Sequence, residues 1–233
     1  MTDIHSHILF DIDDGADTIE ESVSMLKTAE SQGIRNVFCT SHSWAYDITT
    51  YNKNFDMLNA RLQQENINIR LYKGSELFFS DIEINIASYL KTVNTLNATD
   101  YLLLEFPTDI TYDEIYACIS KIRNNAKIII AHIERYQNLA DADDDIRQLR
   151  NEGCLFQVNA YSFENEKNIS IKKFARKLLD KQYVDFIGSD AHSLNHRPYN
   201  MSEGINYIYT HCDKEYADMI CFKNAENLLI KRS

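Results

Sequence analysis

The clearest buried strand in the sequence is Lys127-Ile128-Ile129-Ile130-Ala131-His132, an apolar β-branched run that ends in a histidine. Six further short β-branched or aromatic runs are separated by longer amphipathic stretches. These runs cover Thr2 to His5, Arg35 to Thr40, Ile69 to Gly74, Tyr101 to Phe106, Cys154 to Ala160 and Tyr183 to Gly188. The seven resulting βα units predict an α/β fold whose parallel sheet is closed, or nearly closed, into a barrel.

Capping residues mark the helices between these strands. Three segments fit the capping box, in which a hydroxyl and a carboxylate satisfy free backbone amides: Thr18-x-x-Glu21, Ser80-x-x-Glu83 and Thr111-x-x-Glu114. Gly33 and Gly153 stand where helix ends favour a left-handed residue. No biased or Pro/Gly-rich segment marks a domain boundary, so we expect residues 1–233 to form a single domain with a helical tail from about residue 213.

Composition and charge exclude several functional classes. The 233 residues are 44% hydrophobic and 25% charged, which is typical of a folded globular protein. A formal charge of -11 would repel a phosphate backbone, so we expect no nucleic-acid partner. No apolar run approaches the roughly 18 residues that span a bilayer, and the amino terminus lacks the features of a signal peptide. We therefore expect a cytoplasmic protein without membrane insertion.

The cysteines predict neither disulfides nor thiol catalysis. All five are scattered and none forms a C-x-x-C pair, so we interpret them as reduced and mostly buried. A cysteine-dependent phosphatase needs an arginine six positions after its cysteine, and those positions hold Ala45, Asn124, Ala160, Asp218 and Asn227. No G-x-S-x-G motif occurs either, so a metal-activated water remains the best nucleophile.

The carboxyl ends of the predicted strands, and the loop after the first, carry side chains that bind metal ions. They are His5, His7, Asp14, His42, Glu76, Glu105, His132, Asp190 and His192. From His7 the successive strand-end candidates follow after 35, 34, 29, 27 and 58 residues, the last interval being two units of 29. Because the carboxyl ends of barrel strands converge on one face, these nine side chains are expected in one pocket. That number is enough for two or three divalent ions.

A structural interpretation competes with the metal site at each single position. A lone histidine at a strand end is more often a hydrogen-bonded structural residue, so the joint pattern carries the prediction. His196 and His211 lack strand-end placement, and we expect His196 in a loop near the site and His211 on a helix surface. The acidic run at residues 141–145 is expected at the start of a helix, and we assign it no ligands.

Two arginines should overhang the same pocket. Arg135 follows His132 by three residues, and Arg197 lies in the loop after His192. A guanidinium there can bind a phosphoryl group through paired hydrogen bonds. The alternative for each is a salt bridge at a loop base, with Glu134 the obvious partner for Arg135.

Eight ordered segments resemble the polymerase-and-histidinol-phosphatase (PHP) family. They are Asp3-Ile4-His5-Ser6-His7-Ile8-Leu9, Asp13-Asp14-Gly15-Ala16, Thr40-Ser41-His42, Gly74-Ser75-Glu76, Leu104-Glu105-Phe106, Ala131-His132-Ile133-Glu134-Arg135-Tyr136, Gln157-Val158-Asn159 and Ser189-Asp190-Ala191-His192. More narrowly, the sequence is similar to bacterial manganese-dependent protein-tyrosine phosphatases encoded with capsule or exopolysaccharide genes. The resemblance extends from Met1 to about Arg197.

This resemblance implies a distorted (β/α)7 barrel, the PHP fold, with three divalent metal ions. The nine residues named above would be the ligands, and Arg135 and Arg197 the catalytic contacts to the phosphate or the leaving group. The implied substrate is phosphotyrosine on the tail of a membrane-associated bacterial tyrosine kinase that controls polysaccharide synthesis. Manganese is the expected ion, while iron, zinc, cobalt or magnesium also suit a mixed histidine and carboxylate set. The oligomeric state stays open, a homo-oligomer included.

An aromatic wall for the phosphotyrosine ring is expected from Trp44, Tyr46 and Tyr51, in the loop after His42. Surface aromatics are common in a chain with 14 tyrosines, which is the competing interpretation.

Other functions remain open at this point. The first is a PHP phosphatase of a small metabolite such as histidinol phosphate. A nuclease-like metal hydrolase is disfavoured by the net acidity. A catalytically silent metal-binding or kinase-docking module should have lost ligands or arginines, whereas every expected position is filled.

Overall fold

The computed structural model describes residues 1–45, 47–79 and 92–230, and within these ranges the strands are short and parallel. They are β1 (Thr2–Asp3), β2 (Asn36–Cys39), β3 (Arg70–Lys73), β4 (Glu76–Phe78), β5 (Tyr101–Glu105), β6 (Lys127–Ile130), β7 (Leu155–Asn159) and β8 (Phe186–Gly188). The α-helices are α1 (Ile19–Ser31), α2 (Ile48–Gln64), α3 (Tyr112–Ile122), α4 (Asp143–Asn151), α5 (Ile169–Asp180), α6 (Ser202–His211), α7 (Lys214–Asp218) and α8 (Asn224–Leu229). The predicted alternation of strands and helices is confirmed.

The strands form two sheets instead of one continuous ladder. Strands β1 to β3 make a three-stranded sheet in chain order, and β4 to β8 make a five-stranded sheet in chain order. The predicted strand Ile69 to Gly74 ends at Lys73, and the chain pairs again from Glu76 in the second sheet. Isolated bridges, Ser6 with Ala191 and His42 with Glu76, join the two sheets. The described residues therefore show a parallel α/β fold, without the continuous pairing of a closed barrel.

Two apolar cores hold the sheets and helices together. The larger core packs the helices against the outer faces of the strands. The smaller core combines Ile4 and Phe38 from the first sheet region with Leu103, Ile129 and Phe186 from the second. Ala225 and Leu228 of α8 complete it. Residues of both sheets thus share one interior, which places their carboxyl ends side by side.

The helix boundaries follow the predicted caps. Thr111 and Glu114 form a complete capping box at α3, and the Thr18 side chain accepts from the Glu21 amide at α1. Gly33 and Gly153 have φ of +82° and +86°, so both predicted left-handed helix ends are confirmed. The acidic run 141–145 places three aspartates in the first turn of α4. The predicted capping box Ser80-x-x-Glu83 lies outside the described residues.

Two predictions about burial and membranes can also be compared with the structure. All five cysteines are free, and four of them are buried, which confirms the predicted burial. Among the described residues, no helix combines the length and the apolar character that a membrane crossing requires.

Gly204 allows a test of how closely α6 packs on the turn after β7. A Cβ at Gly204 would lie 1.8 Å from the carbonyl oxygen of Ala160, so we expect Gly204→Ala to lower the free energy of unfolding by about 3 kcal/mol. At Gly153 a Cβ would meet nothing within 4 Å, and Gly153→Ala should cost only about 1 kcal/mol of backbone strain. Urea unfolding followed by circular dichroism measures both. Equal losses in the two variants would contradict the close contact.

Candidate metal centre

All nine predicted ligands meet in one cluster at the carboxyl ends of the strands. They fall into four overlapping groups in which the possible ligand atoms lie within 4.8 Å of one another. The groups are His7, Asp14, His42 and His192; His5, His7 and Asp190; His5, Glu76 and His132; and His42, Glu76 and Glu105. His5, His7, His42 and Glu76 each belong to two groups, so the cluster is continuous.

The carboxylate of Glu76 occupies the centre of the cluster. It is 1% exposed, and its Oε1 lies 3.2 Å from His5 Nε2 and 3.1 Å from His132 Nε2. Its Oε2 lies 3.1 Å from His7 Nε2 and 3.3 Å from His42 Nδ1. Burial raises the pKa of Glu76, but the surrounding histidines hold this pKa well below its usual value. Glu76 is therefore an anion held among four imidazoles.

Asp14 and Glu105 lie at the more exposed edges of the cluster. Asp14 is 54% exposed, and its Oδ1 lies 3.4 Å from His192 Nε2 and 3.5 Å from His42 Nε2. Glu105 Oε1 lies 3.4 Å from His132 Nε2. Burial lowers the pKa of His132, but hydrogen bonds to Glu105 and Glu76 raise it to about 9. Two carboxylates therefore stabilise a positive charge at His132.

Three of the histidines are oriented by hydrogen-bond acceptors behind them. His7 Nδ1 lies 2.7 Å from Asp13 Oδ2, His5 Nδ1 lies 3.0 Å from Gln157 Oε1, and His192 Nδ1 lies 2.8 Å from the Asp190 carbonyl oxygen. In the neutral ring, a proton on Nδ1 would satisfy each acceptor oxygen and leave the lone pair of Nε2 for a metal ion. Metal-binding histidines commonly have such a partner.

Sequence reasoning assigned no role to Asp13 or Gln157. Asp13 also accepts from the His42 amide at 2.8 Å, and Gln157 accepts from the His132 amide at 2.9 Å. Each of the two therefore positions two candidate ligands. Gln157 lies on β7, the sixth predicted strand, which supplies no ligand. Its burial within an apolar strand is the signal that could have revealed it.

Asp3 holds together the two chain segments that carry His5 and Asp190. Its Oδ1 accepts from the Ser189 amide at 2.9 Å and from the His5 amide at 3.1 Å. Its Oδ2 accepts from the Ser189 hydroxyl at 2.6 Å and from the Tyr199 hydroxyl. This buried carboxylate joins β1 to the end of β8, where regular pairing between the sheets is missing.

The backbone is left-handed at two of the candidate ligands. His132 has φ of 31° and Asp190 has φ of 52°, although neither is glycine. Backbone strain of this kind is held in place by surrounding contacts and is concentrated at functional sites. Each of the two residues follows the end of its strand by two positions, and its side chain lies in the cluster.

Both predicted arginines contact carboxylates of the cluster. Arg135 is mostly buried and donates to Asp190 Oδ2 and, at 2.9 Å, to Tyr161 Oη. Arg197 is more exposed and donates to Asp14 Oδ2 at 2.6 Å. The expected alternative partner of Arg135, Glu134, instead accepts from the Asn159 amide and the Ser162 hydroxyl. Both guanidinium groups therefore lie at the mouth of the cluster.

The residues predicted to form an aromatic wall differ in their surroundings. Trp44 is 62% exposed and stacks on the His42 ring with centroids 5.3 Å apart. Tyr51 is wrong as a wall residue: it is 0% exposed, because its ring lies in the core under α2 and its hydroxyl donates to the Cys39 carbonyl. Tyr46 lies outside the described residues.

The two histidines without strand-end positions are placed as expected. His196 lines a groove of about 530 Å³ that borders the cluster at Asp190 and Arg197. His211 is exposed at the end of α6 and stacks on Tyr207. Neither belongs to a candidate metal-binding group among the described residues.

The donor set fits divalent cations. Nitrogen donors and carboxylates of this mixture suit manganese, iron, zinc and cobalt. His42 Nδ1 and His192 Nε2 are buried and have no hydrogen-bond partner among the described residues, although both face carboxylates of the cluster. Imidazole nitrogens in that position are available as ligand atoms.

Comparisons with known proteins show which family the chain belongs to. A family model described as capsular polysaccharide synthesis, CpsB/CapC, matches residues 1–230. The tyrosine-protein phosphatase CpsB of Streptococcus agalactiae serotype III (strain NEM316) is 32% identical over 239 residues, which cover 98% of each chain.

Solved structures extend the comparison to three dimensions. A crystal structure from work on YwqE of Bacillus subtilis and CpsB of Streptococcus pneumoniae, described as unique metal-dependent tyrosine phosphatases, superposes with a TM-score of 0.85. It is 28% identical and covers 100% of this chain and 96% of its own. Histidinol phosphate phosphatase of Lactococcus lactis, in complex with zinc, L-histidinol and phosphate, has a TM-score of 0.59 at 14% identity over 94% of each chain, which shows the fold alone. From the family match and the CpsB similarity, the chain belongs to the CpsB/CapC family of capsular polysaccharide synthesis.

Proposed function

We propose that this chain is a metal-dependent protein-tyrosine phosphatase. The observation that carries the proposal is the cluster of nine histidine and carboxylate side chains with an arginine at each of two edges. The names of the CpsB and YwqE relatives support the same activity. The substrate we propose is phosphotyrosine on the tail of a membrane-associated tyrosine kinase in the cytoplasm, and the role is control of capsule or exopolysaccharide synthesis.

The nine side chains would hold three divalent ions, with manganese the first choice. Glu76 belongs to two of the four ligand groups and would serve more than one ion. Bound divalent ions supply an activated water as nucleophile and stabilise the charge that develops on the phosphoryl oxygens.

The residues of the chain itself bind and orient the phosphoryl group. Arg197 is exposed beside Asp14, and its guanidinium has further N–H groups that can donate to phosphoryl oxygens. Arg135 lies beside Asp190. The exposed ring of Trp44 on His42 offers a flat apolar surface for the ring of the phosphotyrosine.

Substrate class can be tested with chelated enzyme to which manganese is restored. We expect metal-restored release of phosphate from a phosphotyrosyl peptide to exceed release from histidinol phosphate, because the arginines and Trp44 suit an aryl phosphate at an open mouth. Phosphate release from both substrates is measured side by side. Faster hydrolysis of histidinol phosphate would indicate a metabolite phosphatase. No hydrolysis of either substrate would favour a docking module.

Ligand assignment can be tested with His132→Ala and Asp190→Ala. We expect both variants to lose bound metal and to lose turnover by about 10²-fold or more, since even partners of metal ligands contribute 10- to 100-fold. His211→Ala, which removes an exposed histidine, is the matched control and should keep both. Elemental analysis gives the metal content. Full metal content and full turnover in His132→Ala or Asp190→Ala would refute the assignment.

The aromatic contact can be tested with Trp44→Leu. We expect KM for a phosphotyrosyl peptide to rise about 10-fold with little change in kcat, because ring stacking contributes up to about 1.5 kcal/mol to substrate binding. Tyr116→Leu, which removes an exposed ring from α3, is the control and should not change KM. Steady-state kinetics measures KM and kcat of both variants. An unchanged KM in Trp44→Leu would show that Trp44 does not contact the substrate.

A further inference from the structure

Tyr161 lies at the junction of the candidate metal centre and the neighbouring groove. Its ring lines the groove of about 530 Å³ together with Asp190 and Arg197. Its hydroxyl oxygen is 2.9 Å from Nη2 of Arg135, the guanidinium that we propose as a phosphoryl contact. A substrate bound at the cluster would therefore have this hydroxyl beside it.

The turn that carries Tyr161 is fixed from two sides. Residues Ala160–Glu164 form a short 3-10 helix directly after β7. The buried carboxylate of Glu134 accepts from the Asn159 amide at 3.0 Å and the Ser162 hydroxyl at 2.7 Å. Gly204 of α6 packs directly against the Ala160 carbonyl. The Tyr161 hydroxyl is thus held in a defined place.

The hydrogen bonds of Tyr161 leave one donor available. Its oxygen accepts from Arg135 and, at 3.4 Å, from Asn159 Nδ2. For its own O–H group, the part of the chain covered by the structure provides no acceptor. A tyrosine hydroxyl can donate one hydrogen bond, so this proton is free to be given to a ligand in the groove.

We propose that Tyr161 is a catalytic residue that donates its hydroxyl proton to the leaving oxygen of the substrate. This inference rests on the proposed phosphatase function. As a water oxygen bonds to phosphorus and releases one proton to solvent, the bond between phosphorus and the aryl oxygen breaks, and that oxygen takes the proton from Tyr161. The resulting Tyr161 phenolate recovers a proton from solvent water.

The neighbours of Tyr161 suit this transfer. Arg135 places a permanent positive charge 2.9 Å from the oxygen that becomes negative, and Asn159 adds a second N–H donor. Such preorganised donors stabilise developing charge without further rearrangement. The leaving phenolate of tyrosine has a pKa of about 10, so its departure is assisted by a proton donor.

A competing role for Tyr161 is to orient Arg135 without touching the substrate. The two roles differ in how they depend on the leaving group. A proton donor matters most when the leaving oxygen is strongly basic, whereas a residue that only positions Arg135 affects all aryl phosphates equally.

The test compares Tyr161→Phe with the parent enzyme on phenyl phosphate and 4-nitrophenyl phosphate, whose nitrophenolate is a much weaker base. We expect kcat/KM to fall about 10²-fold with phenyl phosphate and to change little with 4-nitrophenyl phosphate. A partly unfolded preparation lowers both rates equally and leaves their ratio unchanged. Tyr209→Phe, which loses a surface hydroxyl bonded to Asp218, is the control and should keep both rates.

Elemental analysis should show equal metal content in Tyr161→Phe and the parent enzyme. Equal losses on the two substrates, or no loss on either, would overturn the proton-donor role while leaving the phosphatase function intact. Failure of the metal-loaded parent enzyme to hydrolyse any aryl phosphate would overturn both proposals.

Discussion

A buried carboxylate surrounded by imidazoles is the constraint on which the site depends. Glu76 is almost inaccessible to solvent, yet His5, His7 and His132 hold its pKa low. An isolated buried anion would be very costly, so the histidines must stay in place for the carboxylate to remain charged. This explains why residues from both sheets, from His5 to His132, are drawn together at one point.

Hydrogen-bond acceptors behind the histidines set the orientation of the imidazole rings. Asp13, Gln157 and the Asp190 carbonyl each fix one imidazole, and Asp3 joins the chain segments that carry His5 and Asp190. None of these atoms needs to touch a metal or a substrate. They determine which nitrogen of each ring faces the cluster, and this makes the set suitable for coordination.

The parallel α/β arrangement was predictable because apolar runs mark each strand in the local sequence. The convergence of the nine side chains followed because they stand at or after the ends of parallel strands, which share one face. The division into two sheets was not predictable, since it depends on backbone geometry at residues such as Asp190. The prediction for Tyr51 was wrong because it relied on the closeness of Tyr51 to His42 in sequence. Tyr51 lies on the buried face of α2, and this position determines its environment. Gln157 meets His5 and His132, and Tyr161 meets Arg135, only through long-range packing.

The smaller core has a consequence for how the protein is made. It combines Ile4 with Leu228, and Asp3 binds Ser189, so residues near both ends of the described chain are needed to complete the interior. Contacts of such long sequence separation form late and slow folding. During synthesis the interior cannot close until residue 228 has left the ribosome. The emerging chain therefore exposes its carboxylates and histidines before the pocket that groups them exists.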